Sequence, residues 1–413
     1  MATVKPFCAI RPQKELASRV AALPYDVYNR AEAKEEAMRE PLSFLCIDRA
    51  ETQLSDDVDT YDARVYEKAN SLMQERISDK TFIRDNKPCF YVYELTMDGR
   101  SQTGIVGCAS IDDYISGVIK KHENTRADKE VDRINHVDSL SMQTGPIFLA
   151  YRGCTELKEL LGKVKKSSPE YDFTSPDGIT HRAWIIEDED MIKTVTDAFD
   201  GMDSIYIADG HHRCASAAKV GLKRRQEHPE YNGNEEFNYF LSVLFADEEL
   251  MIMDYNRVIK DLNGHSINDV FKFLKDKGEL VEIGIEQYRP ANKKEIGIFA
   301  EGKWYKFTFD DKFIPADPVG GLLVSVLQNE VLNPLFGIED PKTDKRIDFV
   351  GGIRGLTELE RRVSLDCKIA FAMYPTSISE LFDVADASLL MPPKSTWFEP
   401  KLRSGLFIHE IER

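Results

Sequence analysis

"IADGHHRCASAAKVG", residues 207–221, is the stretch on which the reading of the whole chain turns. The apolar run 204–208 has the composition of a buried strand, and the alanine-rich run after Arg213 that of a helix. Asp209-Gly210 makes the turn between them, and glycine there permits tight backbone close to a ligand. A helix beginning near His211 turns its first amides and the positive end of its dipole toward whatever sits over the turn. Arg213 falls in the first helical turn, where a guanidinium can fork onto phosphate oxygens. Ala215, Ala217 and Ala218 let the helix approach a sheet closely. Three readings fit: an anion cradle, a metal site using His211 and His212, or a turn N-capped by Asp209 with solvated His and Arg.

Bulk properties narrow the field. The 413 residues suffice for two or three domains, and 42% hydrophobic with 30% charged residues is an ordinary globular balance. A net charge of −17 repels DNA and anionic membrane surfaces, so neither nucleic acid nor membrane is an expected partner. Seven cysteines stand singly without a CxxC pair, and no apolar leader opens the chain, which points to a reducing, cytoplasmic setting. Cys214 reads as a buried helix residue rather than a nucleophile.

Along the chain, helical and strand patterns mix without strict βαβ alternation, so the expected class is α+β. Helices are expected over 30–40, 60–78, 155–167, 189–200, 266–277 and 377–390. Strands are expected over 43–51, 145–153, 181–188 and 204–209, with a hairpin at 88–111 around Asp98-Gly99. The expected organisation is an N-terminal α/β region 1–115, a core 116–260, a C-terminal α/β region 261–390 and a tail 391–413.

Two further polar islands carry chemistry. "KKHENTRADKEVDRINH", 120–136, sets His122 and Glu123 among cations. It opens like a zinc-protease HExxH but has Arg126 where the second histidine belongs, which excludes that chemistry on this motif. "MPPKSTWFEPK", 391–401, offers Lys394, Ser395 and Thr396 after two prolines, without the glycine-rich lead of a P-loop. "LPYDVYN", 23–29, adds Asp26 in a Pro-initiated loop.

Taken together, His122-Glu123, the pentapeptide Asp209–Arg213 and the segment Pro393–Thr396 resemble the free L-serine kinases of the ParB/sulfiredoxin-like superfamily. Those enzymes carry an "HE" segment, a "DGHHR" turn and a "PKTT" segment in that order; here "KST" replaces "KTT". The chain also resembles a large bacterial family with PYDV, DGHHR and MPPKST motifs. The resemblance implies a ParB/sulfiredoxin-like catalytic core with large N-terminal and C-terminal elaborations. It implies phosphoryl transfer to the hydroxyl of free L-serine from ATP, ADP or an inorganic polyphosphate such as pyrophosphate. Glu123, Asp209, His211 and His212 become the catalytic candidates. Gly210, Arg213, Lys394, Ser395 and Thr396 become phosphate contacts, Asp26 and His122 substrate contacts, and Asp209 a ligand for Mg²⁺. The rival readings are a ParB-type nucleotide-hydrolysing switch and a metal-dependent hydrolase on His211 and His212. A sulfiredoxin-like reductase would need a cysteine where the loop holds histidine.

Overall fold

The computed structural model describes residues 1–125 and 127–412, so Arg126 lies outside the described residues. The chain forms two compact units, 1–250 with 400–413, and 251–399. Both contain helices and sheets, as an α+β chain should. The four segments expected from the sequence are not four bodies. Strands from 90–110 and 239–246 share one sheet across the expected boundary at 115, and the tail divides between the units near residue 400.

The first unit is built on nine strands: β1 Val4–Lys5, β2 Phe90–Met97, β3 Arg100–Ser110, β4 Ile119–Lys120, β5 Ile147–Tyr151, β6 Tyr171–Thr174, β7 Thr180–Ile186, β8 Ile205–Asp209 and β9 Tyr239–Ala246. Their order is β4-β8-β5-β9-β3-β2-β7-β6, with β1 beside β3. β2 and β3 are the expected hairpin; Asp98 and Gly99 take φ of 50° and 79° in its turn. β4 runs parallel to β8 and β5 parallel to β9, and the other pairs are antiparallel.

The unit's helices are α1 Arg30–Arg39, α2 Leu45–Asp48, α3 Ala63–Ser78, α4 Ala127–Leu140, α5 Thr155–Val164, α6 Glu189–Asp200 and α7 His211–Glu227; α5, α6 and α7 bury residues in the sheet core, while α1, α2 and α3 gather a second core with Ile10, Phe82 and Ile408. The run 43–51, expected as a strand, contains α2 instead. Phe44, Leu45 and Ile47 all bury in one short turn beside Ala69 and Met73 of α3, and so few apolar residues fit either element. Cys214, Ala217 and Ala218 of α7 bury against Ile205, Ile207 and Leu149 of the sheet, so the alanines do allow close packing. At Gly221 of the same helix an added Cβ would lie 2.4 Å from the Phe237 carbonyl oxygen. Cys214 is fully buried, and burial raises its thiol pKa well above the ordinary value, so it carries no thiolate.

The segment 400–413 stitches the unit together. Ser404 bridges to Ala22, Ile408 to Ile10, and His409–Glu410 pairs with Met142–Gln143. Arg403 donates to Ser175 and to Asp177 and lies 3.3 Å from His181 Nε2.

The second unit has a six-stranded antiparallel sheet in the order 278–284, 303–309, 295–300, 369–373, 255–259, 347–351. Its core gathers Val258, Phe299, Trp304, Leu356, Leu359 and Ala370. Among the described residues no helix is long and apolar enough to cross a membrane.

His181 offers a test of the first unit. Its imidazole is 0% exposed, bonded to Tyr93 at Nδ1 and to Ser175 at Nε2. Burial, then the Arg403 charge, push its pKa down to about 3 against the opposing pull of Asp177. An unfolded histidine titrates near about 6.5, so below that pH the unfolded chain holds the extra proton. Stability from neutral His181 is therefore full above about pH 6.5 and is lost as pH falls toward the folded value. In His181→Gln, the urea midpoint should fall less steeply from about pH 6.5 to 4.5 than in wild type. Equal slopes would refute a neutral buried His181.

Candidate functional site

Strand register builds the site. Ile205 pairs with Ile119 and Tyr206 with Lys120 in parallel. Adjacent parallel strands deliver their carboxyl ends to the same edge, so the loops after Lys120 and Asp209 meet. The rings of His122 and His211 lie 4.5 Å apart at 87°. The His122 backbone N–H donates to His211 Nε2 at 3.4 Å. A register shift between Ile207 and Asp209, where β8 meets β5, bends the strand at its exit.

The helix that follows is capped by Gly210, not by Asp209. Gly210 has φ 92°, a left-handed conformation, and Asp209 remains in the strand with its Oδ1 accepting from the Gly210 N–H at 2.8 Å. Cys214 N–H to Gly210 carbonyl is the first bond of α7, so the amides of His211, His212 and Arg213 fall outside the helix ladder.

The electrostatics are specific. Asp209 Oδ2 accepts from Lys401 Nζ at 2.9 Å, and its side chain is 38% exposed. Burial would raise its carboxyl, but Lys401, Arg213 and the Gly210 N–H hold it well below the usual carboxylate range. His122 is pushed down to about 4, by burial above all, while Asp209 pulls the other way. Burial and the neighbouring His122 likewise hold His211 well below its ordinary value. Both imidazoles are therefore neutral at pH 7. His211 acts here as a hydrogen-bonding group, and positive charge at the turn comes from Arg213 and Lys401. His122 Nδ1 is buried without a hydrogen-bond partner. The Glu130 carboxylate accepts from Thr125 and Lys219; burial would raise it, but these partners and His212 hold it below the ordinary carboxyl value. Glu123, half-buried, directly follows His122 in the loop.

Arg213 connects this turn to a pocket. Its Nη1 donates to the Pro146 carbonyl at 2.6 Å, and its side chain lines a cleft with about 490 Å³ of empty space, mouth included. Tyr25, Asp48, Arg133, Thr144 and Ser404 line it too. The Arg133 guanidinium lies 3.9 Å above the Tyr25 ring and pairs with Asp132, which also accepts from Tyr66. Asp48 accepts from Thr144 Oγ1 at 2.9 Å and stands 3.8 Å from His136 Nε2. Burial raises the Asp48 carboxyl, opposed by Arg133, Thr144, Ser404 and Arg213. Burial and Arg133 push His136 down to about 3, so it is neutral. The pocket thus carries one carboxylate and two guanidinium groups on its wall.

Of the residues singled out from sequence, His122, Asp209, Gly210, His211 and Arg213 come together in the first unit. Asp26 is exposed and is not among the residues lining the pocket; its neighbour Tyr25 is. Lys394, Ser395 and Thr396 belong to the second unit. There Lys394 is exposed with φ 60°, and Ser395 Oγ donates to the Pro392 carbonyl at 2.6 Å, committing its proton to the loop. Sequence reasoning did not single out Asp48, Lys401 or Ser404. Asp48 gave a signal, a lone acid closing the apolar run "FLCID". Lys401 stood at the end of the third island, five residues past Thr396.

Asp209 suits Mg²⁺, which the resemblance implies. It is ionised and partly exposed, and each oxygen accepts one hydrogen bond, leaving a lone pair for a cation that keeps most of its water. Among the described residues no three His, Cys, Asp or Glu side chains are grouped to hold a metal alone.

The family model described as "Protein of unknown function (DUF1015)" matches residues 4–330. No curated protein is similar enough to count as a relative. Similar solved structures include a free serine kinase in complex with AMP, 14% identical, covering 75% of this chain and 91% of that one, with TM-score 0.37. A conserved hypothetical protein from Pyrococcus furiosus is 16% identical, covering 74% and 94%, with TM-score 0.34. SbnI with a C-terminal truncation, from Staphylococcus aureus, is 10% identical, covering 73% and 87%, with TM-score 0.37.

The turn itself is testable. A Cβ on Gly210 would force a left-handed alanine and approach the Arg213 guanidinium at 3.2 Å. Gly210→Ala should cost about 1–3 kcal/mol in urea unfolding. A wild-type midpoint would show that the turn does not depend on this glycine.

Proposed function

The chain belongs to the DUF1015 family, and from the geometry of its site we propose that it transfers a phosphoryl group to the hydroxyl of free L-serine. The observation that carries this reading is the pairing of β4 with β8, which sets the His122-Glu123 loop against the N-terminus of α7. That juxtaposition offers a carboxylate and an anion cradle, and the same unit holds a pocket lined by Asp48, Arg133 and Arg213.

In this reading serine enters the pocket. Asp48 takes the ammonium, which favours its ionised form, and Arg133 and Arg213 face the carboxylate. The amides of His211 to Arg213 hold the donor phosphate, with the Arg213 and Lys401 charges beside it. Glu123 accepts the hydroxyl proton as the serine oxygen bonds to phosphorus. The bridging P–O bond breaks, and its electron pair leaves on the shortened donor. His211, neutral, is a hydrogen-bond partner for the transferred group, and His212 stands next to it in the cradle. His122, with Nδ1 uncommitted, is a polar group for the acceptor side. Lys394, Ser395 and Thr396, expected as phosphate contacts, belong to the second unit, and no step of this reading is routed through them. Asp209 would hold Mg²⁺, which when bound neutralises charge on donor phosphates. The donor class is a nucleotide or an inorganic polyphosphate.

Two variants test the assignment in a steady-state phosphoserine assay. Folded Glu123→Gln should lose about 10²-fold or more of kcat, the scale of a general base. Wild-type-like turnover would remove Glu123 from the mechanism. Asp48→Asn should raise the serine KM by about tenfold or more while leaving the donor KM near wild type. A change confined to the donor KM would contradict the pocket assignment.

A further inference from the structure

The loop "LPYDVYN", 23–29, has no part in the transfer step, yet it lies against the pocket. Asp26 and Val27 are exposed, whereas Pro24 and Tyr25 line the pocket wall. Arg49 fixes the loop backbone: its Nη1 donates to the Tyr25 carbonyl at 3.0 Å and to the Tyr28 carbonyl at 2.8 Å. Arg49 Nε donates in turn at 2.6 Å to Glu51, whose side chain is buried. The loop is thus clipped in place rather than left as a loose turn.

What the loop presents to the pocket is a phenol. The Tyr25 ring lies 3.9 Å from the guanidinium of Arg133, a buried residue of α4. Arg133 spends Nε and Nη2 on Asp132, at 2.9 and 2.8 Å. Among the described residues neither the Tyr25 hydroxyl nor Arg133 Nη1 makes a hydrogen bond, although a phenol shielded from solvent normally finds a partner. Burial pushes the Tyr25 phenol up to about 12, against the charge of Arg133, so it keeps its proton at neutral pH. The pocket wall therefore holds two adjacent open donors, one neutral and one cationic. Two such donors match the two oxygens of a carboxylate.

We propose that Tyr25 is a ligand-binding and specificity residue of the pocket, its hydroxyl and Arg133 Nη1 together holding the carboxylate of an amino-acid ligand. The ring stacked on the guanidinium also keeps Arg133 from swinging, so the two donors hold their spacing. The pocket thereby selects ligands that carry a carboxylate over simple amino alcohols, which would leave both donors unpaired. A carboxylate follows from the two donors; naming it that of serine rests on the phosphoryl-transfer reading.

Ligand binding to the full chain tests this without turnover. Dissociation constants are read by ligand-observed NMR for L-serine and for ethanolamine, which keeps the ammonium and hydroxyl but lacks the carboxylate. Wild type should bind L-serine about tenfold tighter or more. Tyr25→Phe keeps the ring on Arg133 and removes only the hydroxyl. It should weaken L-serine binding about tenfold and ethanolamine binding less than about twofold. Its urea midpoint reports whether the first unit remains folded. Equal binding of the two ligands by wild type, or binding of neither, would overturn the site. So would wild-type L-serine affinity in folded Tyr25→Phe, or an equal loss for both ligands, which marks a purely structural ring. Tyr25-dependent L-serine binding without phosphoserine production would uphold this site and sink the transfer reading; phosphoserine production with an unchanged preference in Tyr25→Phe would do the reverse.

Discussion

The two-residue parallel pairing of Ile119–Lys120 with Ile205–Tyr206 is the constraint on which the site depends. Side chains alternate along a strand, so a slip of one residue would turn His122 and the Asp209 turn away from each other. So short a pairing cannot hold its own register. Ile119, Ile205 and Ile207 hold it by burying in the sheet core with Leu149 and Ala218. The apolar core therefore fixes the register, and the register fixes the chemistry. Gly221 extends the same chain of dependence, because α7 reaches its position only where no side chain separates it from the Phe237 backbone.

The C-terminal segment closes the arrangement from the other side. Lys401 reaches Asp209, Arg403 enters the His181 network, and Ser404 joins the pocket wall. Each contact spans roughly half the chain or more, so the site forms only when the first unit is complete. Burying Asp48, Asp132 and Arg133 together costs several kcal/mol per ion before their mutual attraction is counted. An apolar cluster of similar volume would fold as well. The charges beside Arg213 are explained better by what they can recognise than by stability.

Much of this was legible in the sequence. The strand–turn–helix at 204–221, the Asp98-Gly99 hairpin and the α+β class followed from apolar periodicity and turn chemistry. The motif residues His122, Asp209, Gly210, His211 and Arg213 meet as their order suggested. What the sequence hid was set by distant contacts. One of the three readings of the turn had Asp209 as the helix cap, but strand pairing holds it in β8 and passes the cap to Gly210. Residues 43–51 were expected as a strand, because a few apolar residues do not reveal their period. Asp48 and Lys401 belong to the site through the path of the chain, which no local pattern encodes. The neutrality of His211 was hidden as well, since it comes from burial and from the ring of His122 beside it.

The central claim is that this unit makes a phosphate ester of free serine. Phosphorus NMR of L-serine incubated with the full-length protein, Mg²⁺ and, separately, ATP, ADP and pyrophosphate tests it most directly. A phosphoserine resonance growing with at least one donor, and absent without protein, is the predicted result. Donor consumption with no phosphoserine, or no turnover of any of the three, would contradict the account.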